Sequence, residues 1–212
     1  MAQTFAISKA VESLSQVREK FKLVASSDPQ FFTEWCENLP KLTDAEKSTL
    51  DHFKQRFLAH RDRGELAEGT VDRLLVSPLL DLAGLYEPRF VMDTEVPVEI
   101  LVEDDDELYR GRADVLVIEH QFWVLVVEEK ATKIAMETAI PQTLTYMVSS
   151  PHREKPLFGL TTNGYSFAFI KLQQRQQLEY DFSDHFPLLS RHNKLYDVLQ
   201  ILKQIGDLIK VN

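Results

Sequence analysis

The 212-residue chain carries 24 Lys and Arg against 33 Asp and Glu, a net charge of −9, with 44% apolar and 27% charged residues. That is an ordinary globular composition with room for one domain and a substantial core, and no apolar run reaches the roughly 20 residues that span a bilayer. A single cysteine, Cys36, excludes an internal disulfide; with an N-terminus lacking basic-then-apolar order, it points to a cytoplasmic setting with no membrane attachment.

Residues 1–63 read as a polar N-terminal extension of two or three helices. Apolar residues recur at helical spacing in Val17, Phe21 and Val24, and again in Leu50, Phe53, Phe57 and Leu58. Asp28-Pro29 and Leu39-Pro40 break the segment, and Thr43-Asp44-Ala45-Glu46 has capping-box spacing. Cys36 reads as a packed helix residue rather than a nucleophile. Residues 64–212 read as an α/β domain that forms one compact unit with the extension.

That domain opens with an amphipathic helix from Glu68 to about Leu85, its apolar face supplied by Val71, Leu74, Leu75, Leu79, Leu80 and Leu82. Pro78 is placed to kink it, because proline lacks a backbone donor. Residues 94–102 alternate towards strand, and Glu103-Asp104-Asp105-Asp106-Glu107 reads as a solvated hairpin tip. Its unspaced acids lack the alternation of a calcium loop. Residues 108–118 and 122–129 form a β-hairpin about Glu119-His120-Gln121. A helix over 134–149 follows, then two strands over 157–171 joined at Asn163-Gly164, a strong hairpin signal. A short strand at Leu178–Phe182 and a helix from Asn193 to Lys210 complete the chain.

The chemistry-bearing residues cluster at that first hairpin. Alternation in a strand points Glu128 and Lys130 the same way and Glu129 away. With the turn centred on Gln121, Asp114 faces Glu128, their side-chain roots about 5 Å apart. Two like charges that close call for a neutralising partner, and a divalent cation beside Lys130 supplies one. Gln142 and Tyr146, four apart on the next helix, present a polar face near the same strand ends. An exposed Glu128–Lys130 ion pair is the plainer alternative for the strand residues taken alone.

The ordered set Asp114, Glu128-x-Lys130 and Gln142-x-x-x-Tyr146 resembles the PD-(D/E)XK nuclease superfamily. More narrowly it resembles the N-terminal endonuclease domain of type I restriction enzyme R subunits, through Arg73–Leu85, Ala139–Gln142 and Gly159–Phe169. The resemblance implies a restriction-endonuclease-like α/β core, a mixed central β-sheet flanked by helices. It also implies Mg²⁺, with Mn²⁺ as substitute, held by Asp114, Glu128 and the backbone carbonyl of Glu129. Lys130 would then be catalytic, with Gln142 and Tyr146 supporting it. An acid from the first core helix often joins such sites; Glu68 is the nearest match, one residue out of the expected spacing before Arg73. Ala113 stands where the superfamily has its proline.

The implied reaction is metal-dependent hydrolysis of DNA. No G-x-x-x-x-G-K-[ST] phosphate loop is present, so the ATP-driven motor of R subunits has no sign here. The expected partners are therefore DNA and separate motor or specificity subunits, and a homodimer is compatible with the sequence. Arg112 and Lys133, with Arg110, Arg153 and Lys155, are the candidate phosphate contacts, while His120 and His152 read as surface residues. The acidity of the chain, the missing motor and the spacing of Glu68 favour a rival, a nucleic-acid-binding or assembly module that keeps the fold without cutting. A third reading is an interaction protein that docks a partner through its N-terminal helices, which exposed apolar surface on residues 1–63 would support.

Overall fold

The computed structural model describes residues 3–102, 107–152 and 155–208. Most of the acid run, Glu103 to Asp106, and Arg153 lie outside those residues.

The N-terminal third is less helical than its polar periodicity suggests. Gln3–Ala6 is a strand (β1), followed by helices α1 (Ile7–Ala10) and α2 (Leu14–Phe21) and a second strand, β2 (Leu23–Ala25). Lys22, left-handed at φ 55°, ends α2 and turns the chain into β2. Strands this short leave no period to read. They form because β1 finds an edge on a later strand, and so does β2. Thr43 caps α3 (Asp44–Arg61) through the expected box, its hydroxyl accepting from the Glu46 N–H while its own N–H donates to the Glu46 carboxylate at 2.6 Å. Cys36 is not helical: it is exposed in a turn, its Sγ 3.6 Å from the Thr33 carbonyl.

The helix expected over Glu68–Leu85 is three pieces: α4 (Glu68–Val71), a π-turn (Asp72–Val76) and α5 (Ser77–Leu82). Pro78, in the first turn of α5, has no N–H for the Leu74 carbonyl four residues back. Arg56 of α3 fills that vacancy, its Nη2 3.1 Å from the Leu74 oxygen.

Next come β3 (Phe90–Val102), β4 (Glu107–Glu119) and β5 (Phe122–Glu129). A 3₁₀ turn at Met136–Thr138 leads into α6 (Ala139–Val148), and β6 (Leu157–Thr162), β7 (Ser166–Gln174), β8 (Leu178–Phe182), β9 (Phe186–Pro187) and α7 (Leu195–Leu208) follow. They build one nine-stranded mixed sheet in the order β1-β4-β5-β6-β7-β8-β2, with β3 on the other edge of β4 and β9 on β7. The pairs β1/β4, β2/β8 and β5/β6 are parallel. The remaining pairs are antiparallel.

Helices cover both faces. Phe57 of α3, Leu75 and Leu80 around α5, and Leu199 and Leu202 of α7 pack on Val127, Phe158 and Leu160. On the opposite face Ile7, Val17, Leu144 and Met147 pack on Leu116, Val126 and Ile170. The fold is therefore a helix–sheet–helix sandwich, and each fully buried Leu or Phe contributes about 1.5–3 kcal/mol to it. Gly164, at φ 81° in the β6–β7 turn, has no Cβ, and one there would lie 2.7 Å from the Phe57 ring. That glycine lets α3 sit down on the sheet.

Candidate active site

β3 pairs with the whole of β4 along one edge, from Glu107 to Glu119. The other edge is divided: β1 takes Glu107–Arg110 and β5 takes Val115–Glu119. Gly111 to Asp114 fall in the gap, where β4 has left one partner and not yet met the next. The side-chain alternation also slips here. Ala113 and Leu116 belong to the core on the α6 side, whereas Val115 and Val117 belong to the other. β3 makes the same slip between Met92 and Val96, at Glu95, whose φ is 52° and whose pair with Asp114 is missing from the ladder.

The β4–β5 register at the site is the expected one, Val115 facing Val127, although the turn is not where the sequence placed it. The turn is the two-residue His120-Gln121, with His120 left-handed at φ 58° and exposed. That would shift every pair by one. A bulge between Val117 and Ile118 restores the register before the site is reached.

Asp114 therefore lies level with the end of β5, and its Oδ2 accepts the Glu129 backbone N–H at 2.7 Å. This puts its carboxylate at the strand's rim, between the face of Glu128 and the face of Glu129. Glu128 is 1% exposed, and its Oε1 is paired with Lys130 Nζ. Its Oε2 is buried with no hydrogen-bond partner. Lys130 Nζ is also 3.9 Å from Glu68 Oε1, so the acid whose spacing was out of step does reach the site.

The electrostatics follow from burial and crowding. Burial pushes the Asp114 carboxyl up to about 6; its bond from Glu129 N–H and the charge of Lys130 oppose this, and Glu68 and Glu95 add to it. Glu128 is pushed up to about 8, by burial first and by the Asp114 charge second, with Lys130 opposing. Glu129 goes up to about 9, through burial and then the charge of Asp72. A site that holds carboxylates back from ionising is short of positive charge.

Gln142 and Tyr146 meet each other: Gln142 Nε2 donates to the Tyr146 hydroxyl at 2.7 Å. Tyr146, 1% exposed, also receives the Arg112 backbone N–H, and burial together with the Glu128 charge raises its pKa. It thus caps the unpaired edge of β4. A Cβ on Gly111 would stand 2.9 Å from its ring, so only glycine leaves room. No hydrogen bond joins Gln142 or Tyr146 to Lys130 among the described residues. Of the basic candidates, Arg112 is exposed and 3.8 Å from Glu95, and Lys133 is exposed on the loop after β5. Arg110 is paired with Glu99 at 2.8 Å, and Lys155 lines a separate hollow with His152.

Comparison with known proteins adds a fold-level likeness. No family model matches the chain, and no curated protein matches it. Among solved structures it is similar to a fragment assigned as the HsdR subunit of a type I restriction enzyme from Vibrio vulnificus YJ016. The TM-score is 0.41 and the identity 19%, over 68% of this chain and 26% of the other. A likeness at that level fixes neither family nor chemistry, and the functional reading rests on the site itself.

Sequence reading missed three members of the site. Asp72 and Glu95 line the cleft beside Asp114, and so does the side chain of Glu129, for which only the backbone carbonyl was considered. Asp72 had a signal, since Glu68 and Asp72 are one helical turn apart. Glu95 had none before the β3–β4 register was known.

The donor set suits an open magnesium site. Among the described residues no three His, Cys, Asp or Glu side chains form a closed cage. Magnesium does not need one, being held by one or two carboxylates and several waters. The unpaired, buried Glu128 Oε2 beside Asp114 is the observation that fits a cation. Among the described residues no helix is long and apolar enough to cross a membrane.

Proposed function

We propose that this chain is a Mg²⁺-dependent DNA endonuclease domain of the PD-(D/E)XK type, related to type I restriction enzyme R subunits and acting without a motor of its own. One observation carries the reading: the half-buried Asp114 and the buried Glu128 lie beside Lys130, with a Glu128 oxygen left unpartnered. Asp114, Glu128 and the Glu129 carbonyl would hold the ion, with Glu68 next in line. Bound there, Mg²⁺ or Mn²⁺ supplies a Lewis acid and a water of lowered pKa.

The chain's own residues supply the rest. Lys130 Nζ, which lies against Glu128, would donate to the attacking water or to a phosphate oxygen and stabilise the developing charge. Gln142 and Tyr146 hold the β4 edge on which Asp114 sits. Arg112 and Lys133 would meet the DNA backbone. With a net charge of −9, affinity and specificity would come largely from partner subunits.

The second reading, a binding or assembly module that does not cut, is favoured by the acids that stand against Arg110 and Arg112. Supercoiled plasmid separates the two. The nuclease reading expects nicking with Mg²⁺ or Mn²⁺, little with Ca²⁺, and loss of nicking in Glu128→Gln. A folded wild-type chain that retards DNA and leaves it intact in every metal supports the module instead.

A further inference from the structure

In this acidic chain many cations are already neutralised: Lys20, Arg110, Arg112, Arg175 and Lys203 each stand against a carboxylate. Lys54, Arg191 and His192 have no acid within ion-pair distance among the described residues. All three line one open hollow of about 420 Å³ between α3 and the segment that leads into α7, together with Asp51, Gln55 and Tyr196. Among the described lining residues Asp51 is the only acid. Its Oδ1 is already taken, by Asn193 Nδ2 at 2.9 Å and by the Tyr196 hydroxyl at 2.8 Å. Lys54 Nζ donates to the Ser190 carbonyl at 2.9 Å, which holds the ammonium in the wall, while Arg191 and His192 are exposed.

The hollow lies at the same end of the sheet as Asp114 and Lys130. Backbone bonds trace that rim: Lys130 N–H donates to the Thr162 carbonyl at 2.8 Å, and past the β6–β7 turn Leu188 N–H donates to the Tyr165 carbonyl at 2.8 Å. Ser190, which receives Lys54, follows shortly after. From β5 across β6 and β7 to β9 is three strand spacings, about 14 Å or roughly four base-pair steps of a duplex.

We propose that this hollow seats a backbone phosphate of DNA on the flank of the duplex away from the candidate active site. Phosphate oxygens accept from guanidinium, ammonium and imidazole donors alike, and the amino end of α7 favours the same sign of charge. Cations without an acid beside them are those an acidic chain leaves for an external anion. The inference rests on reading the chain as DNA-binding and holds whether or not it cuts.

The test is fluorescence anisotropy of a labelled duplex of about 20 base pairs with the intact chain in Ca²⁺, as a function of salt. Arg191→Gln should weaken binding about three- to tenfold and make log K against log salt shallower by about one, the loss of one phosphate contact. Gln55→Lys adds a cation to the same wall and should tighten binding, an effect that damage to the fold does not produce. Lys9→Gln removes the same charge from α1, on the opposite face of the sheet, and should leave the slope unchanged. Unchanged affinity and slope in folded Arg191→Gln overturn the proposal, as does an equal effect of Lys9→Gln. So does displacement of the duplex by inorganic phosphate at about 1 mM, which would make the hollow a site for the free ion. Absence of binding by wild type even at about 20 mM salt overturns it too. The nuclease reading fails separately, on intact plasmid in Mg²⁺ while duplex binding and its dependence on Arg191 persist.

Discussion

Glu128 is pulled two ways, towards ionisation by Lys130 and away from it by burial and Asp114. In an unfolded chain such carboxyls ionise near pH 4. In the fold Asp114 ionises near 6, Glu128 near 8 and Glu129 near 9. The folded, metal-free protein therefore keeps protons that the unfolded chain has already lost. Its stability falls as pH rises from about 4 towards 9. The melting temperature of chelator-treated protein should decline across that range, and Glu129→Gln should flatten the upper part of the decline. Mg²⁺ should raise the melting temperature more at pH 8 than at pH 6, since it displaces protons from the same oxygens. A flat, metal-insensitive profile contradicts the site. Gly111→Ala, which sets a methyl group against Tyr146 at 2.9 Å, should cost about 1–3 kcal/mol in denaturant unfolding. A neutral result there means that Tyr146 does not hold the β4 edge.

Elements show where local reading succeeds and where it stops. Asp114, Glu128 and Lys130 were legible because strand alternation and hairpin register are short-range facts. The register came out right by compensation, a turn one position from the assumed centre being offset by the bulge at Val117/Ile118. β1 and β2 were illegible because three or four residues have no period and their pairing is with strands about 100 and 155 positions away. The break before Pro78 was foreseen, but not that it would be a π-turn, since the donor that completes it, Arg56, comes from another helix. Arg56→Met should strip the Leu74 carbonyl of its partner and cost about 1–3 kcal/mol. Unchanged stability would show that water serves the carbonyl as well as Arg56 does.

At the scale of the molecule, residues 3–25 are part of the sandwich. β1 and β2 extend the sheet, and Ile7, Val11, Val17 and Leu23 are buried in the core beneath α6. Deleting residues 1–25 removes four core side chains of about 1.5–3 kcal/mol each, comparable with the whole stability of a domain. The truncated chain should be insoluble or unfolded by circular dichroism; a folded product would make this segment an appendage after all. The net charge of −9, by contrast, is carried by the surface and by the site. It predicts weak binding of free DNA and a need for cations, two consequences of one excess of acid.

The most direct measurement is plasmid nicking at saturating Mg²⁺ by wild type and Lys130→Ala, with Mn²⁺ uptake measured on the same preparations. The account predicts nicking by wild type, its loss in Lys130→Ala, and unchanged cation uptake in the variant. Equal nicking by both proteins would contradict it, because Lys130 would then be a counter-ion to Glu128 and nothing more.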